Sequence, residues 1–178
     1  LGQATMDAAA DQVYHSTGIP ELDKVLGGGV LWETALLVGA TRGSGKSTML
    51  LQACDGYARD GRKSYYASGE MTRDKCIAYA KRIGIVNENV CLFGDPSGVD
   101  CDNLFEAVTA FGATFFVLDS LQTGTVSDVK GDIGNQSMAK AVTNMVQSFC
   151  QEKKRAAMVI GHLTQDGNYA SGESVQHL

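Results

Sequence analysis

From Ser16 onward the chain alternates short apolar runs with stretches whose apolar residues recur at helical spacing. The apolar runs predict strands over residues 34–39, 64–68, 90–93, 114–119 and 156–161. The amphipathic stretches predict helices over 19–26, 46–59, 72–83, 101–111 and 136–152. Strands that alternate with helices require right-handed crossovers, so the sheet should be mostly parallel and covered on both faces. Helix starts support these boundaries. Thr72 precedes one amphipathic run, and Asp100 or Asp102 can cap the next. Two segments have no periodicity, 124–135 and 163–172. Both follow strands and both are rich in Gly, Asp, Asn and Ser. Both fall at the carboxyl edge of the expected sheet, where open α/β sheets hold their ligands.

Composition adds a few exclusions. A length of 178 residues suits one domain with a proper core, and 44% hydrophobic with 20% charged residues is a globular balance. No apolar stretch is long enough to cross a bilayer, and no basic start leads into an apolar run, so neither a membrane role nor a secretion signal is expected. Cys54, Cys76, Cys91, Cys101 and Cys150 are scattered, with no Cys-x-x-Cys pair. Neither a zinc site nor a disulfide framework is expected, and a reduced, cytoplasmic setting follows. A net charge of −5 gives no overall basic field for nucleic acid, so any such binding needs a local patch.

The densest chemistry follows the apolar run Ala35-Leu36-Leu37-Val38-Gly39. There the chain reads Ala40-Thr41-Arg42-Gly43-Ser44-Gly45-Lys46-Ser47-Thr48. This is the pattern of a phosphate-binding loop on the end of a buried strand, and it points to a nucleoside triphosphatase. Gly43 and Gly45 let the backbone curl until several N–H groups point inward, which a Cβ would hinder. Those donors and the positive end of the following helix suit phosphates. Lys46 suits the β- and γ-phosphates, and the Ser47 hydroxyl suits Mg²⁺. Such loops mostly begin with Gly, whereas here that position is Ala40 with Gly39 before it; the change tightens the turn and removes no phosphate donor.

Three strand ends add polar groups. Phe115-Phe116-Val117-Leu118 ends in Asp119, which can hold Mg²⁺ through water or can simply be a solvated loop residue. Ser64-Tyr65-Tyr66-Ala67-Ser68-Gly69 leads to Glu70. If that strand neighbours the strand of Asp119, Glu70 can polarise a water that attacks the γ-phosphate; otherwise it is a charge favoured at a helix start. His162 closes the last run, where it can touch the γ-phosphate and report it to segment 163–172, or can be a hydrogen-bonded strand-end histidine. Trp32, Tyr65 and Tyr66 sit beside or within apolar runs and read as packing groups.

Together these residues resemble the RecA-type P-loop ATPases, most closely the bacterial RadA (Sms) branch. The resemblance rests on Ser16-Thr17-Gly18-Ile19-Pro20-Glu21-Leu22-Asp23 running on to Gly27-Gly28-Gly29, on Gly43-Ser44-Gly45-Lys46-Ser47-Thr48, on Tyr66-Ala67-Ser68-Gly69-Glu70, and on Leu118-Asp119-Ser120-Leu121-Gln122-Thr123. Gly161-His162-Leu163-Thr164-Gln165-Asp166-Gly167 resembles the family's strand-end His and following loop. The resemblance implies a RecA-like fold, ATP and Mg²⁺ as ligands, Glu70 as the catalytic carboxylate and His162 as the γ-phosphate sensor. It also implies a ring or filament of like subunits, single-stranded DNA in its channel against segments 124–135 and 163–172, and work in recombinational repair. The expected organisation is a tail over 1–15 and an ATPase core over 16–178 that stops before the family's last core strands. Two departures stand out. Trp32-Glu33 stands where the family usually has Pro-Gly, and Gln165 where it usually has Lys. The second change removes a cation from a loop expected at DNA, leaving Lys130 as the basic residue of the other loop. A KaiC-like regulatory ATPase acting on proteins without DNA is the rival reading, favoured by the acidic charge.

Overall fold

Each of the longer apolar runs forms a strand, and each amphipathic stretch a helix. The computed structural model describes residues 12–41, 43–129 and 132–162. In chain order these give β1 (Tyr14–His15), α1 (Pro20–Val25), β2 (Val30–Leu31), β3 (Thr34–Ala40), α2 (Lys46–Ala58), β4 (Ser64–Ser68), α3 (Arg73–Arg82) and β5 (Val90–Gly94). There follow β6 (Val99–Asp100), α4 (Cys101–Phe111), β7 (Phe115–Asp119), a 3₁₀ turn (Leu121–Thr123), β8 (Gly124–Thr125), α5 (Gln136–Lys153) and β9 (Ala156–His162). The main sheet has five strands in the order β3-β9-β7-β4-β5, and every pairing in it is parallel. This is the α/β architecture that the alternation of runs implies.

Successive strand residues point to opposite faces, so a wholly apolar strand serves two cores. Phe115 and Val117 of β7 join Tyr66, Met158 and Ile160 on one face, against Leu50, Leu51 and Tyr57 of α2 and Ala80 of α3. Phe116 and Leu118 join Tyr65, Ala67 and Val159 on the other, against Leu104, Phe105 and Val108 of α4 and Val142, Val146 and Phe149 of α5. Phe105 stacks on Phe149 with ring centroids 4.1 Å apart. Each such side chain contributes about 1.5–3 kcal/mol by leaving water, which fixes the strand ends where the polar residues emerge. Helix starts are capped by side chains. Thr72 accepts from the Lys75 amide, Asp100 from that of Asn103 and Asn135 from that of Met138. Of the two aspartates expected to cap α4, Asp100 does so.

The opening Ser-Thr-Gly block folds on itself. The Asp23 carboxylate accepts from the Ser16 hydroxyl (2.5 Å), the Thr17 hydroxyl (2.6 Å) and the Thr17 amide (2.8 Å). Gly18, at φ +74°, lies on Gly56 of α2, where a Cβ on Gly56 would stand 2.0 Å from the Thr17 carbonyl oxygen.

Two details depart from the sequence reading. Tyr14 and His15, assigned there to a tail, pair antiparallel with Leu31 and Val30. Segment 124–135 opens with β8, which pairs in parallel with β6. Two-residue strands are too short to display a period of two. Among the described residues, no helix is long and apolar enough to cross a membrane.

Candidate functional site

The parallel register gathers the strand ends. Ala40 of β3 pairs with His162 of β9, and Ser68 of β4 pairs with Asp119 of β7. Because β9 lies between β3 and β7, the loop after β3, His162, Asp119 and Glu70 follow one another across a single edge. A cleft of about 290 Å³ opens there, lined by residues 43–48, Glu70, Tyr79 and His162.

Gly43 and Gly45 have φ of +77° and +86°, and a Cβ on either would meet nothing within 4 Å. Glycine is needed there for the backbone angle, and the space above the loop stays open. Gly45 caps α2, so the first turn of that helix directs its amides into the cleft edge. Lys46 is buried, and its Nζ donates to the Thr41 carbonyl at 2.7 Å. Ser44 Oγ donates to the same carbonyl at 2.8 Å. Thr48 and Tyr79 share a hydroxyl–hydroxyl hydrogen bond across the cleft wall.

Asp119 is fully enclosed, with 1% of its surface exposed. Burial raises its carboxyl above the usual range, against the neighbouring hydroxyls of Tyr66 and Ser47, which favour the anion. Oδ2 accepts from the Tyr66 hydroxyl at 2.5 Å. Oδ1 has no hydrogen-bond partner among the described residues. An orphaned carboxylate oxygen beside a serine hydroxyl is an all-oxygen donor set, which fits Mg²⁺. A buried acceptor left without a partner is costly, and a cation would remove that cost.

Glu70 stands above Gly69, whose Cβ, were there one, would lie 2.2 Å from Thr123 Oγ1. Its Oε1 is 2.6 Å from His162 Nε2 and accepts from Ser120 Oγ at 3.2 Å. The His162 amide donates to Gln122 Oε1 at 3.3 Å. Strands β7 and β9 are thereby cross-linked through the turn at 121–123.

The fold brings Gly43, Ser44, Gly45, Lys46, Ser47, Thr48, Glu70, Asp119 and His162 together. Ala40 ends β3 and Thr41 follows it. Arg42, Lys130, Gln165 and segment 163–172 lie outside the described residues. Two groups escaped the sequence reading. Tyr66 packs as expected, yet its hydroxyl reaches Asp119; the available signal was a phenol in a wholly buried strand beside one ending in a carboxylate. Tyr79 was an unremarked helix residue. Trp32 stacks on His15 at 4.4 Å and donates to the Tyr57 hydroxyl at 3.1 Å, a packing role away from the cleft.

The parallel order, the glycine loop and the edge carboxylates define a RecA-like P-loop ATPase fold. A solved ATPase domain superposes with a TM-score of 0.69 over 90% of this chain and 67% of that one, at 13% identity. In sequence the chain is similar to bacterial RadA proteins over about nine-tenths of its own length. It is 33% identical over 163 residues to the DNA repair protein RadA of Aquifex aeolicus, covering 92% of this chain and 36% of that protein. It is 30% identical over 162 residues to that of Escherichia coli, covering 91% and 34%. The chain thus spans about a third of the length of these curated relatives. No family model matches it.

Proposed function

We propose that this chain binds ATP with Mg²⁺ and hydrolyses it as the motor core of a protein acting on single-stranded or branched DNA in recombinational repair. One observation carries the reading: Lys46, Ser47, Glu70 and His162 line one cleft at the carboxyl edge of one parallel sheet, and Asp119 lies buried at the same edge, at the end of β7. Lys46 and the amides of residues 43–48 would hold the phosphates. Ser47 and Asp119 would hold the magnesium, which when bound neutralises charge building between the terminal phosphates. Glu70 orients and deprotonates the attacking water. His162, now on Glu70, can exchange that partner for the γ-phosphate and pull on Gln122 through its own amide. Catalysis is then mainly positioning and charge stabilisation.

The names of the RadA relatives support the DNA repair setting. By the same likeness the chain works in the cytoplasm as a homo-oligomeric ring or filament. The segments around Lys130 and Gln165 face single-stranded DNA there, and a neighbouring subunit supplies a further cation. The test is the ATPase rate of the full natural chain with and without single-stranded DNA, paired with retention on single-stranded DNA as salt is lowered. Stimulation and salt-dependent retention are expected. Turnover without any retention at low salt would instead favour a KaiC-like switch acting on proteins, in keeping with the net charge of −5.

A further inference from the structure

The buried phenol of Tyr66 has no part in the scheme above, yet it makes the closest polar contact of Asp119. Tyr66 is 0% exposed, in the middle of β4, two residues before the strand end. The register sets it against Val117, so its ring rises along the sheet face toward Asp119 at the end of β7. Its hydroxyl donates to Oδ2 at 2.5 Å, while Oδ1 has no hydrogen-bond partner among the described residues. A carboxylate on a flexible χ2 torsion can otherwise turn either oxygen outward. A phenol is a donor suited to this place. It is rigid and carries one proton to donate.

Resting on the reading of Asp119 and Ser47 as the magnesium ligands, we propose that Tyr66 is a positioning residue for the metal: its hydroxyl clamps Oδ2 and presents Oδ1 to the cation. The phenol touches neither nucleotide nor metal. Its effect falls on the orientation of the metal ligands, on Asp119 directly and on the neighbouring Ser47 hydroxyl, which is the usual task of a group hydrogen-bonded to a metal ligand. The effect should therefore appear in metal affinity and be absent from metal-free phosphate binding.

The experiment is titration of a fluorescent ATP analogue into wild type, Y66F and D119N, each in EDTA and across a magnesium series. Near-ultraviolet circular dichroism checks that each variant is folded. Losing a group that orients a ligand typically weakens metal binding by about 10- to 100-fold. Y66F is expected to raise the half-saturating magnesium concentration about tenfold or more and to leave affinity in EDTA within about twofold. In a D119N background, Y66F should add almost nothing, because the group it positions is gone. An unchanged magnesium requirement in folded Y66F overturns the proposal. So does an equal loss in EDTA and in magnesium, which would mark a general packing defect. Wild-type affinity that does not respond to magnesium at all is a different failure. It removes the metal reading of Ser47 and Asp119, and the role of Tyr66 with it.

Discussion

The opening Ser-Thr-Gly block and the carboxyl edge of the sheet are equally rich in motif residues, yet their aspartates end differently. Both oxygens of Asp23 are used within the block, by Ser16 and Thr17. Although burial pushes its carboxyl up, those hydrogen bonds prevail and hold it below the usual range. Asp119 is more deeply enclosed, has one buried oxygen without a hydrogen-bond partner among the described residues, and is pushed above the usual range by burial. A carboxylate whose lone pairs are consumed by its own motif is architecture. A buried carboxylate oxygen with no partner among the described residues, beside a serine hydroxyl, is a donor set that fits a cation. The opening block is the more specific sequence pattern of the two, and its aspartate is spent on its own turn.

The contrast can be broken at either end. The largest effect belongs to the edge. E70Q should lower the turnover number by about 10²- to 10⁴-fold while ATP affinity stays within a few-fold, measured by steady-state kinetics beside binding. Turnover at the wild-type rate would remove Glu70 from the mechanism. In the opening block the effects should be on stability alone. G56A places a methyl on the Thr17 carbonyl and should cost about 1–3 kcal/mol, read as a lower midpoint in chemical unfolding. D23N removes a charged acceptor of three hydrogen bonds and should cost about 1–3 kcal/mol. Because folding lowers the Asp23 pKa, its contribution is complete above the unfolded value and fades as pH falls through the folded one. D23N should therefore flatten the acid limb of the stability curve. A change in nucleotide affinity from either variant would erase the distinction between the two regions.

The smallest expected effect is a gain. Glu33 has φ +67°, a left-handed conformation that suits Gly better, and it stands where the family pattern usually has Gly. E33G should raise stability by about 1 kcal/mol, offset in part by the freedom Gly gains in the unfolded chain. An unfolding midpoint that does not rise would mean that the offset is complete or that Glu33 makes contacts of its own.

Much of the fold was legible because the strands are buried on both faces. A run such as 115–118 can then carry no polar residue, and the polar residue that follows marks the strand end. The glycine loop of residues 43–48 was legible for a related reason: its glycines and lysine are spaced by main-chain geometry. Neighbouring strands were harder to read. That Glu70 and Asp119 share an edge depends on β4 pairing with β7, a fact of topology that no local pattern encodes. The Tyr66 hydroxyl was invisible for the same reason, since a phenol and a leucine look alike in an apolar run until the neighbouring strand is known. The short ladders β1-β2 and β6-β8 were too brief to show any period.

The central claim is that the curled backbone of residues 43–48, with the Lys46 ammonium behind it, grips the terminal phosphates of ATP. Isothermal titration of ATP with magnesium into wild type and K46A tests it most directly. Losing a charged donor to phosphate is worth about 1.5–3 kcal/mol, so the account expects one site per chain, weakened roughly 10- to 150-fold in K46A. Equal affinities in the two proteins would contradict it.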